Sequence, residues 1–254
     1  MKKMIFGLFL LGIIFCFNFS AYSQIPPEGL VAWYPFNGNA NDESGNGNNG
    51  IVNGASLTTD RYGYSNQAYN FDGINDFIEI SSLNNMSYRP VTYSAWIMAY
   101  SINNGRIIVG RDKGNELYQG ALMLFDANNA FVYYTGLSGV NSGSTPNTMT
   151  WTHVAFTFDV TNVVKFYVNG ELVYQGQFIF NSNANIPFLI GAGSIGGNAA
   201  RHFWNGKLDD IGVWNRSLTY EEIQSLFSGN PRQQASNITF NITLKSTTFG
   251  GGYV

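Results

Sequence analysis

Side-chain oxygens are packed most densely between Asn37 and Gly50, in the run Asn37-Gly38-Asn39-Ala40-Asn41-Asp42-Glu43-Ser44-Gly45-Asn46-Gly47-Asn48-Asn49-Gly50. Its glycines let backbone carbonyls turn inward. Calcium takes about six to eight oxygens and tolerates irregular geometry. The run is not an EF-hand, because the glycine and the closing Glu are missing from their positions. It reads equally well as an Asn/Gly turn that holds itself with local hydrogen bonds.

A second acid bears on that choice. In Leu208-Asp209-Asp210-Ile211-Gly212-Val213-Trp214, strict alternation sets Asp209 on the same face as Ile211 and Val213. A carboxylate on an apolar face is costly unless it is paired or bound to a metal. If the first and last strands of a sandwich lie side by side, Asp209 reaches the Asp42 loop. Two carboxylates with amide and backbone oxygens then make a modest calcium site of the kind that serves outside cells. The competing reading pairs Asp209 with backbone amides or with Arg216.

Catalytic signatures are missing. The chain has no Gly-x-Ser-x-Gly elbow, no His-Glu-x-x-His and no phosphate-binding P-loop. Gly191-Ala192-Gly193-Ser194-Ile195-Gly196 fits the dinucleotide pattern, but no amphipathic helix follows, so it reads as a glycine turn. His153, in a strand beside Trp151, reads as a packed structural residue and His202 as a loop residue. Glycoside hydrolysis needs two carboxylates at a set separation. Glu79 stands alone in its strand, and Glu221 and Glu222 belong to a helix; a pair assembled from distant strands stays open.

The elements that must position these residues follow from composition. Charged residues make up 11% of the 254, and 31 Asn stand beside 29 Gly. Such a chain lacks the residues that fill helix surfaces and is rich in those that make turns, so an all-β fold is expected. Hydrophobic residues at 44% and aromatics at 16% supply a core. Net charge is −3, with no basic run, which leaves nucleic-acid binding by phosphate neutralisation without a basis. A polybasic membrane-surface patch is equally missing.

Met1-Lys2-Lys3, an apolar run from Met4 to Phe17, and Ala21-Tyr22-Ser23 read as an export signal cleaved after Ser23. Residues 1–23 are then the signal peptide, and the expected location is secreted or cell-surface. Cys16, the only cysteine, leaves with the leader, so the mature chain has neither disulfide nor thiolate site.

About a dozen short β-rich runs separated by Gly/Asn turns begin at Leu30–Tyr34 and end at Leu208–Trp214. Asn169-Gly170 between Val163–Val168 and Glu171–Tyr174 suits a type I′ hairpin turn. One helix is expected, capped by Thr219, with Glu222 completing a capping box and Leu218 stapled onto Ile223. Residues 24–228 form the sandwich. Residues 229–254 form a tail or the start of a further module, in which Ile238, Phe240, Ile242 and Leu244 alternate with polar residues as one strand. An unpaired strand of that kind is an aggregation hazard and is expected to be covered.

Leu30-Val31-Ala32-Trp33-Tyr34-Pro35-Phe36, running into Asn41–Gly47, resembles the opening of a laminin-G-like, concanavalin A-like lectin/glucanase domain of the form common in surface proteins of Bacteroidetes-type bacteria. Five further landmarks follow in order: Phe71–Ile78, Thr92–Ile97, Trp151–Ala155, Phe166–Gly170 and Gly206–Leu218. The resemblance implies an antiparallel two-sheet jelly-roll. It also implies a calcium site for which Asp42 and Asp209 are the matching acids, with Asn39 and Asn46 as further ligands. Asp72 and Asp76 match family positions too and read first as turn formers. The sandwich glucanases' Glu-x-Asp-x-x-Glu strand is missing, which points to binding rather than catalysis.

The expected function is therefore a calcium-stabilised, non-catalytic, lectin-like module whose partner is a glycan or polysaccharide. Tyr62, Tyr64, Tyr118 and Trp204, in or beside loops, are the candidate stacking rings. The alternatives are a structural or adhesive surface module with a protein partner, and a glycan-cleaving enzyme with a dispersed acid pair.

Overall fold

The computed structural model describes residues 25–83, 86, 89–101, 105–111, 118–125, 130–136, 138–179, 188–193 and 202–229. The expected export signal and the alternating segment after residue 229 lie outside them. In chain order the strands are β1 (Leu30–Tyr34), β2 (Ile51–Asn53), β3 (Ser56–Thr58), β4 (Ala68–Asp72), β5 (Phe77–Ile80), β6 (Val91–Ala99), β7 (Arg106–Arg111) and β8 (Tyr118–Phe125). They continue as β9 (Phe131–Gly136), β10 (Ser138–Asn141), β11 (Thr152–Phe158), β12 (Val163–Val168), β13 (Glu171–Gln177), β14 (Phe188–Ile190) and β15 (Asn205–Trp214). One helix, α1 (Tyr220–Ser228), follows.

Two antiparallel sheets stack. The first has the order β13-β12-β11-β6-β15-β4-β3, with β1 also paired to β15; the second runs β10-β9-β8-β7-β14-β5-β2. Alternation sends one face of each sheet inward. Ring pairs join the sheets across the core: Tyr133 stacks on Phe156 at 3.7 Å, Phe131 meets Phe166 edge-on at 5.0 Å, and Tyr93 meets Phe188 at 5.8 Å. Burying each side chain of this size stabilises by roughly 1.5–3 kcal/mol. With a single cysteine in the sequence, no disulfide can form within the chain, which depends on this core.

The outer face of the first sheet carries a second apolar cluster, in which Trp33, Ala155, Tyr167 and Trp214 pack against Leu218, Ile223 and Leu226. The last two belong to α1, and the Leu218–Ile223 staple is present. Thr219 Oγ1 accepts from Glu222 N at 3.3 Å, and Thr219 N donates to the Glu222 carboxylate at 2.8 Å, closing the expected capping box. Glu222 also takes both guanidinium arms of Arg216, at 2.7 and 2.5 Å. The Asn169-Gly170 turn is as expected, with φ of +50° and +79°.

Candidate functional site

After β3 the chain folds into a tight loop around one carboxylate. Asp60 Oδ1 accepts from Tyr62 N at 2.9 Å and Tyr64 N at 2.8 Å, and Asp60 N donates to Tyr64 O at 3.1 Å. Gly63, at φ +90°, supplies the left-handed step this closure requires. The loop leaves Tyr62 43% and Tyr64 58% exposed. Gly38 N donates to Asn66 O at 2.9 Å, which seats the loop beside the Asn-rich run from Asn37 to Gly50.

Between the two tyrosines' backbone and the sheet sits Arg61. Its side chain is 5% exposed, and Nη1 meets Asp209 Oδ2 at 3.1 Å and Asp210 Oδ2 at 2.6 Å. The guanidinium lies 4.5 Å from the Tyr62 ring centre and 4.4 Å from that of Trp96. Burial works against its charge, but the carboxylates of Asp210 and Asp209 outweigh that and hold it firmly protonated. Arg61 therefore fastens the tyrosine loop to the outer face of β6 and β15. Lys207 Nζ adds a bond to Thr59 O at 3.2 Å.

This geometry corrects the expectation for Asp209. Asp209 pairs in register with Trp96, and the register shifts between Asp209 and Gly212 where Asp210 sits at φ +45°. The bulge inserts a residue and breaks the alternation. Leu208, Ile211 and Val213 face the core, while Asp209 lies on the opposite face with Trp96 and Arg61. Its carboxylate takes Arg61 and, through Oδ1, Asp210 N at 2.8 Å. A guanidinium already neutralises the acid, so Asp209 does not fit a calcium ligand; Arg216, the other partner considered for it, is held by Glu222.

Asp42 occupies a separate network. Oδ1 accepts from Trp33 N at 3.0 Å and Ser44 N at 2.8 Å, and Oδ2 from Asn48 N and Ser44 Oγ, both at 2.9 Å. Burial opposes its charge, yet these donors hold its carboxyl below the ordinary value. Asn46 turns its amide nitrogen, not its oxygen, toward the carbonyls of Leu30 and Val31, at 2.9 and 3.1 Å. Asn39 Oδ1 accepts from Asn41 N at 2.7 Å. The run is thus a self-bonded loop clamped along β1. Among the described residues no group of three or more His, Cys, Asp or Glu side chains is arranged to hold a metal.

Asp72 and Asp76 are turn formers: Asp72 Oδ1 accepts from Ile74 N at 2.7 Å, and Asp76 Oδ2 from Asp72 N at 2.9 Å. His153 is buried beside Trp96 and hydrogen-bonded through Nε2 to Ser94 Oγ at 2.9 Å. Burial, with the Arg61 charge nearby, pushes its pKa down to about 3. It stays neutral at ordinary pH and has no access to solvent.

Of the four candidate stacking rings, Tyr62 and Tyr64 stand at the surface. Trp204 is fully buried in the inter-sheet core, which removes it from any ligand surface. Tyr118 opens β8, and its side chain lies outside the described residues. Sequence reasoning missed Arg61; the available signal was the pair Asp209-Asp210, which demands a cation, but nothing in the sequence said which one.

Residues 72–224 match the profile of the concanavalin A-like lectin/glucanases superfamily. A human relative, adhesion G-protein coupled receptor D1, is 28% identical over 114 residues; the match covers 43% of this chain and 12% of the receptor. Among solved structures, domain 4 of AbnA, a GH43 extracellular arabinanase from Geobacillus stearothermophilus, in complex with arabinotriose, superposes with a TM-score of 0.62 at 20% identity, covering 78% of this chain and 97% of that domain. The binding domain of Paraclostridial Mosquitocidal Protein 1 gives 0.62 at 19% identity over 80% of this chain and 52% of that one. A mutant Trypanosoma rangeli sialidase gives 0.62 at 16%, over 80% and 33%.

Proposed function

The chain belongs to the concanavalin A-like lectin/glucanases superfamily, and from that premise we propose that it is an exported, non-catalytic module that binds a glycan or polysaccharide through the Tyr62–Tyr64 loop. The observation that carries this reading is the pair of exposed tyrosines on a loop held rigid by Asp60 and Arg61. A ring held in place stacks on a sugar face without a large ordering cost. The low charge of the chain suits a neutral ligand. Domain 4 of the arabinanase, solved with arabinotriose, supports the reading at the level of the fold.

The test is a glycan and polysaccharide array with the folded, exported chain, run in calcium and repeated in chelator, beside Tyr62→Ala and Tyr64→Ala. A defined glycan is expected to bind, and the double variant to bind at least about tenfold more weakly while still unfolding in one cooperative transition. Unchanged binding by the double variant, or no glycan bound by the folded protein, overturns the assignment. The chelator arm reads calcium separately: with Arg61 in place of a metal at Asp209, equal binding in both arms is expected.

A surface module with a protein partner is the second reading. It is supported by the 114-residue similarity to an adhesion receptor.

A further inference from the structure

Two segments 167 residues apart meet at the rim of the tyrosine loop, where Tyr62 OH donates to Gly229 O at 3.1 Å. Gly229 is the residue that closes α1, its N–H donating to Ser225 O at 3.1 Å. In the turn just before it, Phe227 stacks beside Trp96 of β6, with ring centres 5.8 Å apart and planes 23° from parallel. Its ring centre also lies 6.1 Å from that of His153. Trp96 is the same ring that meets the Arg61 guanidinium. The last turn of α1 is therefore joined to the loop twice, by the hydrogen bond to Tyr62 and through Trp96 and Arg61.

Both joins act on Tyr62. The guanidinium lies over one face of its ring and Gly229 holds its hydroxyl, so the ring is gripped at its face and at its tip while 43% of the residue stays exposed. Asp60 orders the backbone of the loop, but a tyrosine ring still turns about its own side-chain torsions. Freezing such a side chain when a ligand arrives weakens binding. For Tyr62 that freedom is removed beforehand, and part of the grip comes from α1.

We propose that the last turn of α1 is a positioning element of the ligand surface, with Phe227 and the Gly229 carbonyl as the groups that set the Tyr62 ring. This rests on the reading that the tyrosine loop binds the glycan. Neither group needs to touch the ligand. The rest of α1 is anchored independently, by Ile223 and Leu226 against Trp33, Ala155, Tyr167 and Trp214, so the last turn can loosen while the helix stays docked. The coupling is reciprocal: a ligand that fixes Tyr62 also tightens the end of α1.

Amide exchange on the full chain without ligand is the first test. Tyr62→Phe and Phe227→Ala are each expected to speed exchange at the Tyr62 and Tyr64 amides by about threefold or more. Thr219→Ala, which weakens α1 at its other end, is expected to leave those amides unchanged; equal acceleration in that variant would trace the effect to general loss of stability and overturn the proposal. The second test repeats the glycan array with Phe227→Ala and Thr219→Ala at a temperature where both are folded. On glycans that the parent retains, Phe227→Ala is expected to bind about two- to tenfold more weakly and Thr219→Ala to match the parent. Undiminished binding by Phe227→Ala overturns the positioning role. If the parent retains no glycan while Phe227→Ala still frees the loop, the glycan reading falls and the coupling of α1 to the loop stands.

Discussion

Arg61 carries a charge onto a sheet face that also holds Asp209, Asp210, Trp96 and His153, and it reaches there from a loop 148 residues earlier in the chain than Asp209. Removing one member of a buried ion network leaves the others uncompensated, at a cost of about 3–5 kcal/mol. Arg61→Met is therefore expected to lose stability on that scale in urea unfolding. Arg61→Met combined with Asp209→Asn and Asp210→Asn should recover much of the loss, because no unpaired charge is left buried. A triple variant as unstable as the single one would show that packing by the Arg61 stem, rather than charge, fastens the loop. The sequence made the need for a cation legible, since an acid inside a closing strand requires one. It did not make the cation's identity legible: metal, Arg216 and Arg61 all meet that need, and only the path of the chain separates them.

At the scale of elements, α1 was readable almost to the residue because its signals are local: a Thr–Glu capping box and an apolar staple act across three to five positions. Thr219→Ala is expected to cost about 1 kcal/mol, measured as a fall in the thermal midpoint. A larger loss would mean that the cap also holds the Arg216–Glu222 pair in place. The Asn169-Gly170 turn was readable for the same reason. The bulge in β15 was not. Asp209-Asp210 looks like any strand interior until Asp210 takes φ +45°, and one inserted residue moves a side chain to the other face. Fifteen strands are described where about a dozen runs were expected, and strands as short and exposed as β2 and β3 carry too little alternation to show a period.

Taken whole, the molecule couples its stability to pH through groups that the fold holds in one protonation state. His153, buried against Ser94 and Trp96, has its pKa pushed down to about 3 from an ordinary 6.5, so between those values the unfolded chain binds a proton that the folded chain refuses. Stability then falls as pH drops through that window. Asp42, held below its ordinary value of 3.8, adds stability present above that value and lost as pH falls further. Melting curves from pH 7 to pH 3 should show this decline, and His153→Gln should flatten it above pH 4; an unaltered slope would place the effect elsewhere. By itself the sequence determined the fold class, the helix and the turns, since hydrophobic period, capping and glycine geometry act over a few residues and leave a local record. It also confined the candidate rings to a handful. Only the tertiary structure decided that Trp204 is core, that Asp209 answers to Arg61, and that Tyr62 and Tyr64 face solvent on an anchored loop. Those outcomes depend on which distant segments meet, and contacts across more than a hundred residues leave no spacing in the chain from which to read them.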